Sequence, residues 1–431
     1  MIKKIASGIL ITLLLLCSPC LVSCSSSTES GLPISPAIGC LAESSSMAKS
    51  ALTGQSISFS SDDFARAVNK ADIKKITLTA LPPSSDGELR IGSTVITSAQ
   101  PISAASLSLM TFHPSGAVSS SEFRFRVDDS PYELCCKLYT LSEPNYAPTL
   151  STAPSTALEV STYKNVTLFG TLPCYDPDGD STVVEIVSYP EKGLLMLEDC
   201  TTGSYRYVPY ENSIGKDSFC YVARDKYGNY SASAQVSLET KKQATTVEYV
   251  DLGDSPYHNS AIAMTEKGIM SGTQVGSYTY FYPGTAVSRA EFTVMALEAA
   301  GITEVKTTSS TVFADDEDIP SDMKGYIATA YDLGYIKGTE VDGQLCFLPD
   351  KEMTRAEAAV MLANMLDASA PTVTPVFSDS SDIPVWAQAS VYSLSALGVL
   401  ESYDGSISPT SAVTRGDAAD ILVNFIAVKN K

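Results

Sequence analysis

Three arginines stand at matched positions near the C-terminus, in Val287-Ser288-Arg289-Ala290-Glu291, Met353-Thr354-Arg355-Ala356-Glu357 and Val413-Thr414-Arg415-Gly416-Asp417. Each follows a proline by six residues (Pro283, Pro349, Pro409) and opens an apolar, helix-like run. Ser288, Thr354 and Thr414 are good N-cap residues. The acid three positions later completes a capping box, in which each side chain satisfies a backbone N–H at the helix start. Capping explains the hydroxyl and the acid but not the arginine. A first helical turn presents free N–H groups and the positive end of the dipole, so a cation there is mildly disfavoured. Its repetition points to a ligand, because guanidinium and free amides together suit an anionic group such as a carboxylate. The competing expectation is an internal pair between each arginine and a nearby acid, Asp251, Asp315 or Asp379.

The elements that must hold these groups repeat with them. Tyr249-Val250-Asp251, Phe313-Ala314-Asp315 and Phe377-Ser378-Asp379 lie 64 residues apart. A period of that size with matched punctuation signals an array of supersecondary units. Behind each arginine, apolar residues fall on one helical face: Phe292, Met295, Ala296, Ala299; Ala358, Met361, Leu362, Met365; Ala418, Ile421, Leu422, Phe425. An earlier helix in each unit carries Ala261 and Met264, Ile327 and Ala330, or Val391 and Leu394. It ends at Gly268, Gly334 or Gly398, as C-caps prefer. The unit is helix, Gly-containing loop, Pro, capped helix.

With its Thr-Arg-Ala-Glu signature in three spaced copies, this region resembles three tandem S-layer homology domains, at residues 248–305, 310–369 and 374–430. The resemblance implies a mainly α-helical three-repeat pseudo-trimer, a three-pronged spindle around a central helix bundle. It also implies noncovalent attachment to pyruvylated secondary cell-wall polymer held in grooves between prongs. By motif position, Arg289, Arg355 and Arg415 would meet the ketal carboxylate, and Asp251, Asp315 and Asp379 would stand on the groove walls. Trp386, the lone tryptophan, is assigned to the first helix of the third unit, either as core or stacked on a sugar ring. The third copy departs: it reads Thr-Arg-Gly-Asp, and only 17 residues separate Gly398 from Arg415, against 21 in the other units. Arg289 and Arg355 are therefore expected to bind better, with unit three mainly structural.

Lys3 and Lys4 precede an apolar stretch, Ile9 to Leu16, right for a secretory signal over residues 1–24 and too short to span a membrane. Leu21-Val22-Ser23-Cys24 resembles a lipoprotein signal-peptidase box, which would lipidate Cys24; ordinary cleavage nearby is the alternative. Residues 25–46 are Ser-rich and read as a tether. Two β segments follow, 47–142 and 147–239, each close to the roughly 100 residues of a β-sandwich. Alternating runs include Ile76 to Thr79 and Glu122 to Val127 in the first, and Val183 to Val187 and Phe219 to Val222 in the second. Both resemble bacterial cadherin-like or immunoglobulin-like modules, the second most clearly, through Asp176-Pro177-Asp178-Gly179-Asp180 and Gly215-Lys216-Asp217-Ser218-Phe219. Asp176, Asp178 and Asp180 offer alternate oxygens around a Gly turn, which suits Ca²⁺ or serves as a plain polar turn.

Composition fits a surface protein. A net charge of −20 argues against nucleic-acid binding and opposes any anionic polymer, so attachment must rest on local donors and sugar contacts. Of ten cysteines, Cys17 and Cys20 lie in the signal and Cys24 at its end. The remaining seven include Cys174, Cys200 and Cys220 in one module, whose pairing the sequence leaves open. The two histidines, His113 and His258, sit in no catalytic signature, and neither a nucleophile elbow nor a phosphate loop is present. The chain reads as a non-enzymatic secreted surface protein that displays its β modules in an S-layer-associated or a structural and adhesive role. The alternatives are a wall-associated binder whose β modules recognise glycan, protein or Ca²⁺, and, behind it, a wall-bound glycosidase. Membrane association would come only through a lipidated Cys24.

Overall fold

The computed structural model describes residues 46–116, 118–150, 158–371, 374–403 and 405–430. The secretory signal, Cys24, Cys40 and almost all of the Ser-rich tether lie outside the described residues. Among the described residues no helix is long and apolar enough to cross a membrane.

The first module packs two sheets face to face. One runs in the order Ser46–Leu52, Leu134–Leu141, Ser120–Val127, Lys75–Ala80, Pro101–Ser103, its first pair parallel. The other runs Ile57–Ser58, Met110–Pro114, Gly87–Ile91, Thr94–Val95. Alternation explains the packing: Phe123, Phe125 and Val127 point inward from one strand, and Leu89 and Phe112 meet them from the facing sheet. A short helix, α1 (Ser61–Arg66), closes the core with Phe64.

The second module repeats the plan. Leu158–Tyr163, Ala234–Lys241, Gly215–Asp225 and Thr182–Ser188 face Leu168–Thr171, Ser204–Pro209 and Gly193–Asp199. Tyr205, Tyr207, Phe219 and Tyr221 fill the space between the sheets. Buried phenols need acceptors, and the Tyr221 hydroxyl donates to the Pro173 carbonyl at 3.1 Å. Among the described residues of this module, Cys174 and Cys220 are free thiols.

Among the described residues, six α-helices form the C-terminal region: α2 (His258–Glu266), α3 (Arg289–Ala299), α4 (Lys324–Asp332), α5 (Arg355–Leu366), α6 (Gln388–Ala396) and α7 (Arg415–Lys429). The first helix of each unit ends at a glycine with φ near +72° to +75° (Gly268, Gly334, Gly398), a conformation that lets the next amides turn back onto the last carbonyls. Each second helix packs on the next unit's first helix, α3 on α4 and α5 on α6, and α7 closes the ring on α2. One core joins all three units, with Phe292, Leu362 and Leu422 at its centre. The loops of the first two units are hairpins, Thr273–Val275 with Tyr278–Tyr280 and Thr339–Val341 with Gln344–Cys346. The shorter third loop keeps a single bridge, Tyr403 to Ser406. That is what its four missing residues cost.

Candidate functional site

The three capped helices meet N-terminus to N-terminus around a pseudo-three-fold axis. The residues before their caps close a ring of backbone bonds: Val287 N–H to Val413 O (2.9 Å), Val413 N–H to Met353 O (2.7 Å) and Met353 N–H to Val287 O (3.0 Å). All three capping boxes form, Ser288 with Glu291, Thr354 with Glu357 and Thr414 with Asp417. The expected free amides are absent from all three helix starts. Arg289, Arg355 and Arg415 donate their amides to Lys351, Ser411 and Thr285 carbonyls, and Ala290, Ala356 and Gly416 donate to Pro349, Pro409 and Pro283. The neighbouring unit has taken the donors, so an anion must be held by side chains.

The aspartates also differ from expectation. Asp251 accepts the amides of Phe281 and Tyr282 (2.8 and 2.6 Å), and Asp315 those of Phe347 and Leu348 (2.8 and 2.7 Å). Asp379 accepts Ile407 and Ser408 (2.9 and 2.7 Å) and the Ser406 hydroxyl. The second residue each time, Tyr282, Leu348 or Ser408, has φ between +50° and +62°, a strained region for a side chain with Cβ. These carboxylates hold a left-handed turn just before the proline. They are clamps rather than groove walls, and they do not pair with the arginines. Burial would raise the Asp379 pKa, but the Ser406 hydroxyl and the two amides outweigh it and hold it below the usual range.

Two arginines clamp the same turns from the neighbouring unit. Arg415 donates Nε–H to Phe281 O (2.8 Å) and an Nη2 proton to Ser271 O (2.7 Å). Arg355 does the same to Ile407 O (2.8 Å) and Glu401 O (2.6 Å). Arg355, expected to be one of the better binding positions, is thereby spent on carbonyls. Arg289 differs: its guanidinium lies 5.2 Å from the Phe347 ring, but its Nε–H is buried with no partner. Its nearest carboxylate is Glu357, at 3.8 Å, which also holds Lys351 at 2.6 Å. Burial lowers the Arg289 pKa, with Glu357 and Asp315 opposing.

Arg289 lines an open cavity of about 350 Å³, together with Lys337, Gly338, Glu357, Asn364 and Trp386. Trp386 sits in the turn before α6 rather than in a helix, and it is 61% exposed. It is not core. An exposed indole and a buried, incompletely paired guanidinium lining one cavity suit a ring that carries an acid.

The S-layer homology family model matches residues 248–293, 312–359 and 376–419, and a bacterial Ig domain model matches residues 145–239. The chain carries three S-layer homology domains. It is 26% identical over 211 residues to the surface-layer 125 kDa protein of Lysinibacillus sphaericus, covering 46% of this chain and 17% of that one. It is 33% identical over 119 residues to cell surface glycoprotein 1 of Acetivibrio thermocellus, covering 26% and 5%. It is 29% identical over 172 residues to an endoglucanase of Bacillus sp. strain KSM-635, covering 37% and 17%. The chain thus spans less than a fifth of the length of these relatives. The domain type and the surface-layer relatives indicate a cell-surface or cell-wall location.

The surroundings of the three arginines are unequal for reasons the motif alone did not carry. Beside Arg355 stand the Asp417 carboxylate (3.8 Å), which pairs with no lysine among the described residues, and the Asp420 carboxyl, while the Glu401 carbonyl takes one of its protons. Asp420 is pushed up to about 7, mainly by burial, against a hydrogen bond from Ser260 and with Glu401 and Asp417 adding to the rise. Val294 and Val360 hold the corresponding positions in the other two helices, so this acid could have been flagged from the sequence. Gly416 also has a purpose: a Cβ there would come within 2.5 Å of the Tyr257 ring, whose hydroxyl donates to Asp417 at 3.2 Å. In the Ig domain, Asp176, Asp178 and Asp180 each bring an oxygen within 4.8 Å of the others.

Proposed function

We propose that this protein attaches noncovalently to a secondary cell-wall polymer through one principal groove, between Arg289 and Trp386. The observation that carries the proposal is Arg289, whose Nε–H is buried and unpaired and whose side chain lines an open cavity together with the exposed Trp386. A pyruvylated sugar matches it. The ketal carboxylate would take the guanidinium, and the sugar face would lie on Trp386. Lys351 already offsets the Glu357 charge inside the cavity, which keeps the site from repelling an acid. The other two arginines hold the spindle together.

The β modules then act as a spacer that displays the chain's distal end, without catalysis. The likeness to an endoglucanase covers 17% of that enzyme and brings no activity with it.

The test is cosedimentation of the secreted chain with native wall sacculi. Arg289→Ala should weaken binding by roughly 10- to 150-fold, the scale of about 1.5–3 kcal/mol for a charge-assisted contact, and Trp386→Ala should weaken it as well. Sacculi stripped of pyruvyl groups should bind the wild type no better than the variants. Wild-type sedimentation by a folded Arg289→Ala chain would remove the groove from the account.

A further inference from the structure

We infer that the loop from Asp176 to Asp180 in the bacterial Ig domain binds a hard divalent cation, with Ca²⁺ the ion its donors suit. Converging carboxylates are common on surfaces without an ion, and the three aspartates alone would carry nothing. Asp176 supplies the second observation. It is 5% exposed. Its Oδ1 accepts the amides of Asp178 (2.9 Å) and Asp180 (3.1 Å), winding the loop around it. Its Oδ2 is shut off from solvent and meets no hydrogen-bond donor. A carboxylate oxygen taken out of water with no donor is costly to keep, and a cation is the partner such an oxygen lacks.

Of the other two carboxylates, Asp178 stands at the mouth and the Asp180 side chain is 13% exposed. Asp178, exposed, accepts the Tyr146 amide through Oδ2 at 2.7 Å. Asp180 holds the Lys226 ammonium at 2.7 Å, from a lysine side chain that is 46% exposed. Lys226 offsets one of three negative charges and can swing into water, so it acts as a displaceable counter-ion. Asp225, close by in the fold, is not a ligand: its two oxygens already accept the amides of Tyr227 and Asn229 and the side chains of Asn145 and Asn229. The available donors are all oxygen, with neither imidazole nor thiolate among the three, which selects a hard ion. Three carboxylates on an irregular turn, completed by water, suit the tolerant coordination of Ca²⁺ better than the strict octahedron of Mg²⁺. This site is separate from the Arg289 groove and stands or falls without it.

The experiment is calorimetric titration of the secreted chain, stripped with chelator, with Ca²⁺ alone and with Mg²⁺ alone, alongside thermal melts. One equivalent of Ca²⁺ should bind and raise the melting temperature. Asp178→Asn, at the rim, and Asp180→Asn should each weaken binding at least tenfold, and Asp178→Asn should leave the apo melt in place. Lys226→Met should tighten it several-fold by removing the competing cation. No heat and no melting shift up to about 10 mM Ca²⁺, beyond the range of extracellular calcium modules, would overturn the site. Equal affinity in the two aspartate variants would do the same, and equal affinity for Mg²⁺ would overturn the calcium assignment.

Discussion

A guanidinium removed from water needs acceptors, and at the start of a capped helix it can find them in the protein or in a ligand. Arg355 and Arg415 take the first route, each bridging two carbonyls of the neighbouring unit's loop. Arg289 does not complete that set. Opposite outcomes follow for substitutions in one motif. Arg355→Ala strands the Ile407 and Glu401 carbonyls, and should cost roughly 2–4 kcal/mol in a denaturant melt. Arg355→Lys should recover little, since an ammonium lacks the planar fork. Arg289→Ala should leave the melt nearly unchanged while losing the wall. Asp420 adds a pH signature. An unfolded aspartate titrates near 3.9, whereas Asp420 keeps its proton up to about 7. Between those values the folded chain binds the extra proton. The stability Asp420 contributes is therefore full below the unfolded pKa and lost as pH rises through about 7, at up to about 1.4 kcal/mol per pH unit. Melts of wild type and Asp420→Asn from pH 4 to 8 should diverge accordingly, with the variant relatively more stable above 7. Parallel curves would show that Asp420 does not titrate there.

At the scale of the element, helix starts in this protein are built by neighbours as much as by their own sequence. The capping box satisfies one amide in each helix, and the next unit's carbonyls satisfy two more. Gly416 shows the trade. Alanine is the better helix former by about 1 kcal/mol, and the other two copies use it. Its Cβ at position 416 would strike the Tyr257 ring. Gly416→Ala should therefore lower the melting temperature despite its propensity gain, and Gly416→Ala with Tyr257→Ala should recover part of the loss. A rise in the single variant would show that the ring moves aside freely.

For the molecule as a whole, the Ig domain is docked on the first S-layer homology domain rather than strung from it. Asn259 on α2 accepts from Thr162 (2.8 Å) and the Tyr163 amide (3.2 Å), and donates to Thr167 O (3.0 Å). Glu266 accepts the Tyr163 hydroxyl at 2.7 Å and the Ala244 amide at 2.5 Å. The two β modules also meet directly, Tyr139 edge-on to Tyr227 at 5.1 Å and Arg66 over Tyr230 at 4.3 Å. Contacts of this kind hold the Ig domain in a set direction relative to the first S-layer homology domain. Asn259→Ala with Glu266→Ala should broaden the small-angle scattering distance distribution without shifting either module's melt. An unchanged distribution would mean that the linker itself sets the angle.

The sequence by itself determined the repeats, the capping boxes, the helix-ending glycines and both β-sandwiches. Those rest on local rules: periodicity, cap chemistry and alternation act within a few residues. It also named Arg289, Trp386 and the aspartate loop as chemically capable. Only the tertiary structure decided which groups remain available. Asp251, Asp315 and Asp379 proved to be committed to turn amides some 30 residues onward, and Arg355 to carbonyls 46 and 52 residues away. The helix amides went to adjacent units. A polar group's partner is set by which chain segments meet when the ring of repeats closes, and three identical motif positions in an imperfect ring need not receive the same acceptors.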